Sequence, residues 1–233
     1  MPIARRLRPW LLLCALCSVL AQAAPALTPA LTPALTPALQ AELDRAVHTY
    51  EAGRVAPARA AFESLARRGV PAAAYNLAVM HLRGELPQPD LAQARRLLER
   101  AAAGGFVTAQ FTLALALENG DLGPRDLATA HRWYALAAAG GSVDAQVAMG
   151  TAHYLGRGAV KDPARAVHWF REAAKGGDVG AMYLLASMYE QGDGVERDLR
   201  LARYWYAAAA RSGDEAAPDK LRQLDALLAG VPG

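Results

Sequence analysis

A thirty-six-residue register runs through most of this chain without an insertion or deletion, and it leaves few folds open. Asp90, Asp126, Asp162 and Asp198 stand 36 apart, and the same shift carries Ala94 onto Ala130, Ala166 and Ala202. It carries Leu97 onto Trp133, Trp169 and Trp205, and Leu98 onto Tyr134, Phe170 and Tyr206. Run backwards, it reaches Ala58, Phe62, Ala66 and Gly69. A repeat of this length is one supersecondary unit that cannot bury its apolar face alone and stacks on copies of itself.

Counted from the leading Asp, positions 5, 8, 9, 12 and 13 are apolar, which is one face of a helix, here helix A. The Asp side chain at its start accepts from free first-turn amides; only Arg54 departs from that rule. Glycine at position 16 ends the helix in a left-handed conformation. Helix B follows, with Ala at position 20 (Ala73, Ala109, Ala145, Ala181, Ala217) and a large apolar residue at position 24. Position 25 is small in four units (Ala78, Ala114, Gly150, Ala186), so backbones approach closely there. Gly156-x-Gly158 and Gly192-x-Gly194 resemble phosphate loops as text. They recur at the turn between units and lack the lysine and strand such loops need, so they are helix stops.

The units therefore span 54–89, 90–125, 126–161, 162–197 and 198–233. A leading helix over 39–53 precedes them, with Leu43, Ala46, Val47 and Tyr50 on one face. In the fifth unit Arg222 replaces the small residue of position 25, and Asp225 stands where earlier units have His81, Leu117, His153 and Tyr189, the polar cap that a stack needs at its end. The expected fold is all-α, a right-handed superhelical solenoid of stacked helix-turn-helix repeats.

Residues 1–23 read as a cleavable Sec-type signal peptide. Arg5, Arg6 and Arg8 precede an apolar run from Trp10 to Leu20, and Ala21-Gln22-Ala23 offers the small-x-small cleavage pattern. The run is too short to cross a bilayer, so no membrane span is expected after cleavage. Both cysteines, Cys14 and Cys17, lie in it, and the mature chain would hold no thiol. The net charge of +3 arises there as well, from three arginines without an acid. The remainder is balanced, and the basic balance of the whole chain does not argue for nucleic acid. The expected location is periplasmic or secreted. Residues 24–38 repeat Pro-Ala-Leu-Thr, and proline at every fourth position opposes a helix, so an extended linker is expected.

The stretch Asp126-x-x-x-Ala130-x-x-Trp133-Tyr134-x-x-Ala137-Ala138-x-x-Gly141, then Ala145-Gln146 and the Gly156-x-Gly158 turn, resembles the Sel1-like repeat family, a relative of the tetratricopeptide repeats. Ala73-Ala74-Tyr75-Asn76-Leu77-Ala78 is similar to that family's helix B. The resemblance implies an adaptor or scaffold whose A helices line the concave side. Some cysteine-rich members are linked to β-lactam binding through repeats stapled by disulfides; this chain lacks those cysteines.

Signs of catalysis are scarce. No Ser-x-x-Lys, His-Glu-x-x-His or Gly-x-Ser-x-Gly occurs. His81 and His153 share position 28 two units apart, too far for one metal ion, and read as half-buried stand-ins for an aromatic. Trp133, Trp169 and Trp205 could stack sugars, but they share the apolar face with the alanines and read as core. No catalytic, metal-binding or cofactor-binding residue is assigned.

The face of helix A opposite the alanines carries the candidate site. Position 7 holds Arg96, Arg132, His168 and Tyr204; position 14 holds Arg67, Lys175 and Arg211; Arg171 stands at position 10 and Arg200 at position 3. Stacking would align these into a basic stripe able to grip a protein partner or acidic peptide. Envelope polysaccharide or peptidoglycan, as an anionic glycan, is the alternative, and a cell-wall or β-lactam hydrolase the remotest one. A solvated charged face is the plain structural reading of the same residues.

Overall fold

A computed structural model of the chain describes residues 35–229. The signal segment and all but the end of the proline-rich linker lie outside the described residues. The described residues form eleven α-helices and no strand. They fall into two compact units, one ending at Phe106 and the other beginning at Val107.

The first unit holds α1 (Pro37–Glu51), α2 (Val55–Arg67), α3 (Pro71–Leu82) and α4 (Leu91–Ala103). Helix α1 starts two residues before the expected Leu39. Thr36 caps it by accepting from the Leu39 amide at 3.3 Å, and Pro37 takes a first-turn position where its missing donor costs nothing. The second unit holds α5 (Val107–Asn119), α6 (Leu127–Ala139), α7 (Val143–Leu155), α8 (Pro163–Lys175), α9 (Val179–Gln191), α10 (Leu199–Arg211) and α11 (Ala217–Ala229).

The helix ends follow the sequence logic. Asp90, Asp126, Asp162 and Asp198 cap α4, α6, α8 and α10, each accepting from a first-turn amide at 2.9–3.0 Å. Arg54, the exception in sequence, makes no side-chain cap on α2. These amides hold the Asp90 and Asp126 carboxyls below their ordinary range. Gly69, Gly105, Gly141, Gly177 and Gly213 all have the positive φ that their terminating role requires.

Helix B of one repeat packs most closely on helix A of the next: α3 on α4, α5 on α6, α7 on α8 and α9 on α10. The buried alanines explain this. Ala73, Ala109, Ala145 and Ala181 on the B helices and Ala94, Ala130, Ala166 and Ala202 on the A helices are at most 2 % exposed, leaving room for the axes to approach. The space left is filled by position 9 of helix A, where Phe62, Leu98, Tyr134, Phe170 and Tyr206 are all buried. The indoles beside them are only half-buried. The sequence expectation placed them in the core; the fully enclosed side chain is their neighbour.

A buried phenol needs an acceptor, and the chain supplies one from the preceding helix B. Tyr134 donates to Glu118 at 2.8 Å, and Arg157 approaches the other carboxylate oxygen at 3.2 Å. Tyr206 donates to Glu190 at 2.7 Å, with Lys220 at 3.1 Å. Burial, then the accepting carboxylate, pushes both phenols far above their ordinary pKa.

The Gly-x-Gly turns are structural, for two separate reasons. Gly156 and Gly192 end α7 and α9 in the left-handed region. Gly158 lies so close to the first turn of α6 that a Cβ there would meet the Leu127 carbonyl oxygen at 2.6 Å. In α11 the anchor is Leu224, wholly buried, rather than Leu221 at the expected position; Arg222 and Asp225 are exposed.

Candidate functional site

The expected stripe resolves into free cations and committed ones. In the first unit, Arg67 is exposed with no side-chain partner among the described residues. Arg96 is exposed and held by Gln93, its guanidinium 2.7 Å from the amide oxygen and 3.9 Å from Asp90.

In the second unit, Arg200 and Arg211 are exposed and make no side-chain bond among the described residues. Arg132 rests on the Thr129 hydroxyl at 2.9 Å, and Lys175 on Glu172 at 2.7 Å. Both contacts are exposed, so they yield to a better partner at small cost. Arg171 is different: half-buried, it donates to the Tyr189 hydroxyl at 2.7 Å and ties α8 to α9. Its first role is structural.

Two ring pairs stand among these charges. His168 meets Trp169 edge-on with centroids 4.9 Å apart, and Tyr204 meets Trp205 in the same way at 5.1 Å. Tyr204 is 56 % exposed. A half-buried indole edged by an exposed ring at positions 7 and 8 therefore recurs on α8 and α10. This is a rigid apolar ledge bordered by Arg200 and Arg211 on α10 and by Lys175 on α8. The arrangement can hold an anionic group by hydrogen-bonded charge and a flat or apolar group beside it; it offers no activated nucleophile and no paired acids.

His81 is half-buried, as the sequence suggested, whereas His153 is buried. His81 accepts from the Asp90 amide at 3.1 Å through Nδ1, so it replaces a backbone acceptor at the end of α3. At the same position of later repeats, the carbonyls of Leu117, His153 and Tyr189 take that bond from Asp126, Asp162 and Asp198. His153 is buried and pairs with His131 of α6, their centroids 5.3 Å apart and their planes at 88°. Sequence reasoning missed this pair, although the repeat frame contains it: position 6 of helix A faces position 28 of helix B. The same two positions form the Arg203–Asp225 ion pair between α10 and α11. Among the described residues no three His, Cys, Asp or Glu side chains gather as a metal-binding group would. No described helix is long and apolar enough to cross a membrane.

The helices, paired through buried alanines, define a helical repeat protein that carries exposed cations and rings on its A helices. The Sel1 repeat pattern matches residues 71–106, 107–142, 143–178 and 179–214, and the chain belongs to the Sel1 repeat family. That frame begins at helix B and ends at the next helix A, the pair the structure packs most closely. A Sel1 repeat protein from Oxalobacter formigenes is 28 % identical, with a TM-score of 0.75 over 82 % of this chain and 78 % of its own. The protective antigen c5321 of uropathogenic Escherichia coli, which displays the same repeat fold, is 34 % identical with a TM-score of 0.65. That match covers 70 % of this chain but only 35 % of the antigen, so the chain spans about a third of that relative's length. Among curated proteins the sequence finds no match. Sel1 repeat proteins are in general non-catalytic scaffolds for protein interaction.

Proposed function

We propose that this protein is an exported scaffold that binds an acidic segment of a protein partner along the exposed faces of α6, α8 and α10 in its second unit, with Arg67 and Arg96 offering a like face on α2 and α4 in the first. The observation that carries the reading is the uncommitted charge: Arg67, Arg200 and Arg211 have no internal partner among the described residues, and Arg96, Arg132 and Lys175 have only exposed ones. Guanidinium groups left free on a rigid helix face are ready to take carboxylates in paired hydrogen bonds without reorganisation. Tyr204, next to Arg200 and Arg211 in the same helix, adds an aromatic anchor of the kind that concentrates binding energy. His168 joins the surface through its ring, and Arg171 contributes to the frame first.

The test is a charge reversal. Arg132→Glu, Arg200→Glu and Arg211→Glu together should lower affinity for an acidic peptide pool, such as Asp/Glu-rich decamers read by fluorescence anisotropy, at least a hundredfold. Each lost charge-assisted contact is worth about 1.5–3 kcal/mol. The helical circular dichroism should not change. Unaltered peptide affinity in a folded triple variant would remove the proposal.

An anionic envelope glycan is the second reading, favoured by the two ring pairs on α8 and α10. It requires that Tyr204→Ala with His168→Ala abolish retention on a peptidoglycan or acidic-polysaccharide matrix while acidic-peptide binding survives. Export is part of the proposal and rests on residues 1–23. N-terminal sequencing of the protein recovered from the periplasm or medium should begin at Ala24, and recovery with Met1 still attached from the cytoplasm would refute it.

A further inference from the structure

The His131–His153 pair has no part in the surface just described, and its surroundings are unusual. His153 is 4 % exposed, its Nδ1 lies 3.4 Å from the Val160 carbonyl, and its own carbonyl accepts from Asp162 at 2.8 Å. His131 has its Nε2 buried without a hydrogen-bond partner. The two rings therefore join α6, α7 and the turn that leads into α8 at one point. Among the described residues, the carboxylates nearest in the fold are already engaged elsewhere and do not act on His131. From α8, Arg165 faces His131 and adds like charge, while Asp162 is taken by Arg165, whose amide and Nε lie at 3.0 and 3.2 Å. Asp126, at the head of α6, is spent on the Thr129 amide, and Glu118 of α5 on Tyr134 and Arg157.

We propose that His131 and His153 form an acid-sensitive latch: while both rings are neutral they close α6 on α7, and a proton taken by either opens that hairpin and the turn over residues 156–161. An imidazolium here would stand against a second imidazole and a guanidinium with an unpaired N–H in the interior, and burial of an unpaired charge is strongly unfavourable. Burial first, then His153 and Arg165, lowers the His131 pKa from its ordinary value. The sign follows: the closed state binds fewer protons than the open one. Closure is complete above the open-state pKa of about 6.5 and is lost as pH falls towards and through the lower folded value.

The chain carries its own control. Thirty-six residues on, Val167 and Tyr189 hold the same two positions in the α8–α9 hairpin, and neither is a histidine. Amide hydrogen exchange on the full chain at pH 7.5 and 5.0, expressed as protection factors, should show α7 and residues 156–161 losing on the order of tenfold relative to α9. That is the effect of about one extra proton bound by the open state. The His131 ring, followed by NMR, should titrate below its ordinary 6.5. His131→Phe, which keeps the ring and removes the charge, should abolish the differential loss. Should that variant misfold, His153→Phe and the titration of the unaltered chain decide the matter alone. A His131 ring that titrates at or above 6.5, or protection in α7 that falls no faster than in α9, would overturn the latch.

Discussion

The α6–α7 and α8–α9 hairpins are the same thirty-six residues written twice, and they meet the same packing demands with different chemistry. At position 9, α6 buries Tyr134 and needs Glu118 from α5, whereas α8 buries Phe170 and finds Tyr154 on α7 at the corresponding place. At positions 6 and 28 the first hairpin sets His131 against His153, and the second carries Val167 and Tyr189, with Arg171 bonded to the Tyr189 hydroxyl. At position 25, α7 has Gly150 and α9 has Ala186. These differences come in matched sets: the buried phenol of Tyr134 has its acceptor on the neighbouring helix, and the Phe170 ring lies against the one position-25 residue that has no Cβ, Gly150. The frame is constant because its small residues are constant, and individuality enters in pairs.

The largest effect expected from breaking such a match is at Gly150. A Cβ there would lie 2.6 Å from a ring carbon of Phe170, so Gly150→Ala forces the ring or the helix to move. Overpacking of this kind costs about 1–3 kcal/mol, and the better helix propensity of Ala returns at most ~1 kcal/mol. Urea unfolding followed by circular dichroism should show a net loss of about 1–2 kcal/mol. A gain would mean that Phe170 gives way freely and that the glycine answers no packing need. Ala186→Gly in the sister hairpin should also destabilise, by about 1–2 kcal/mol, through lost propensity and the loss of a wholly buried methyl.

Next comes the hydroxyl. Tyr134→Phe strips Glu118 of a bond inside a half-buried cluster and should cost about 1–2 kcal/mol, since hydrogen bonds to charged groups sit at the upper end of the usual range. Adding Glu118→Tyr copies the Phe170–Tyr154 pair into this repeat. The double variant should recover part of that loss. Additive losses in the cycle would show the two positions to be independent.

Much of this was legible in the sequence. The period, the Asp caps, the glycine stops and the rows of alanine are local or strictly periodic features, and each appears where the register places it. Three things were not legible. The indoles of Trp133, Trp169 and Trp205 read as core, but position 8 sits at the margin of the buried face and position 9 at its centre, a shift of one residue that a thirty-six-residue period cannot reveal. Arg171 was counted among the free cations, because nothing in its own repeat position announces the Tyr189 hydroxyl eighteen residues away. The imidazole pair was hidden because the repeat frame lines His153 up with His81, whereas its neighbour in space, His131, stands at a different repeat position on the preceding helix. Charge on the stripe could be read from spacing, but whether a cation is free depends on its neighbours in space.

The smallest effect separates frame from surface. Tyr189→Phe removes the hydroxyl that holds Arg171 and leaves the ring, which is buried, in place. The cost should be only about 0.5–1.5 kcal/mol, the usual net worth of one hydrogen bond, and smaller than that of Tyr134→Phe because the freed guanidinium is half-exposed and can turn to water. Once released, Arg171 stands on the same helix as Lys175 and can join it. Affinity for an acidic peptide should then rise slightly in Tyr189→Phe and return to its original value when Arg171→Gln is added. If both variants bind as the unaltered chain does, Arg171 lies off the recognition surface, and the stripe on α8 narrows to His168 and Lys175.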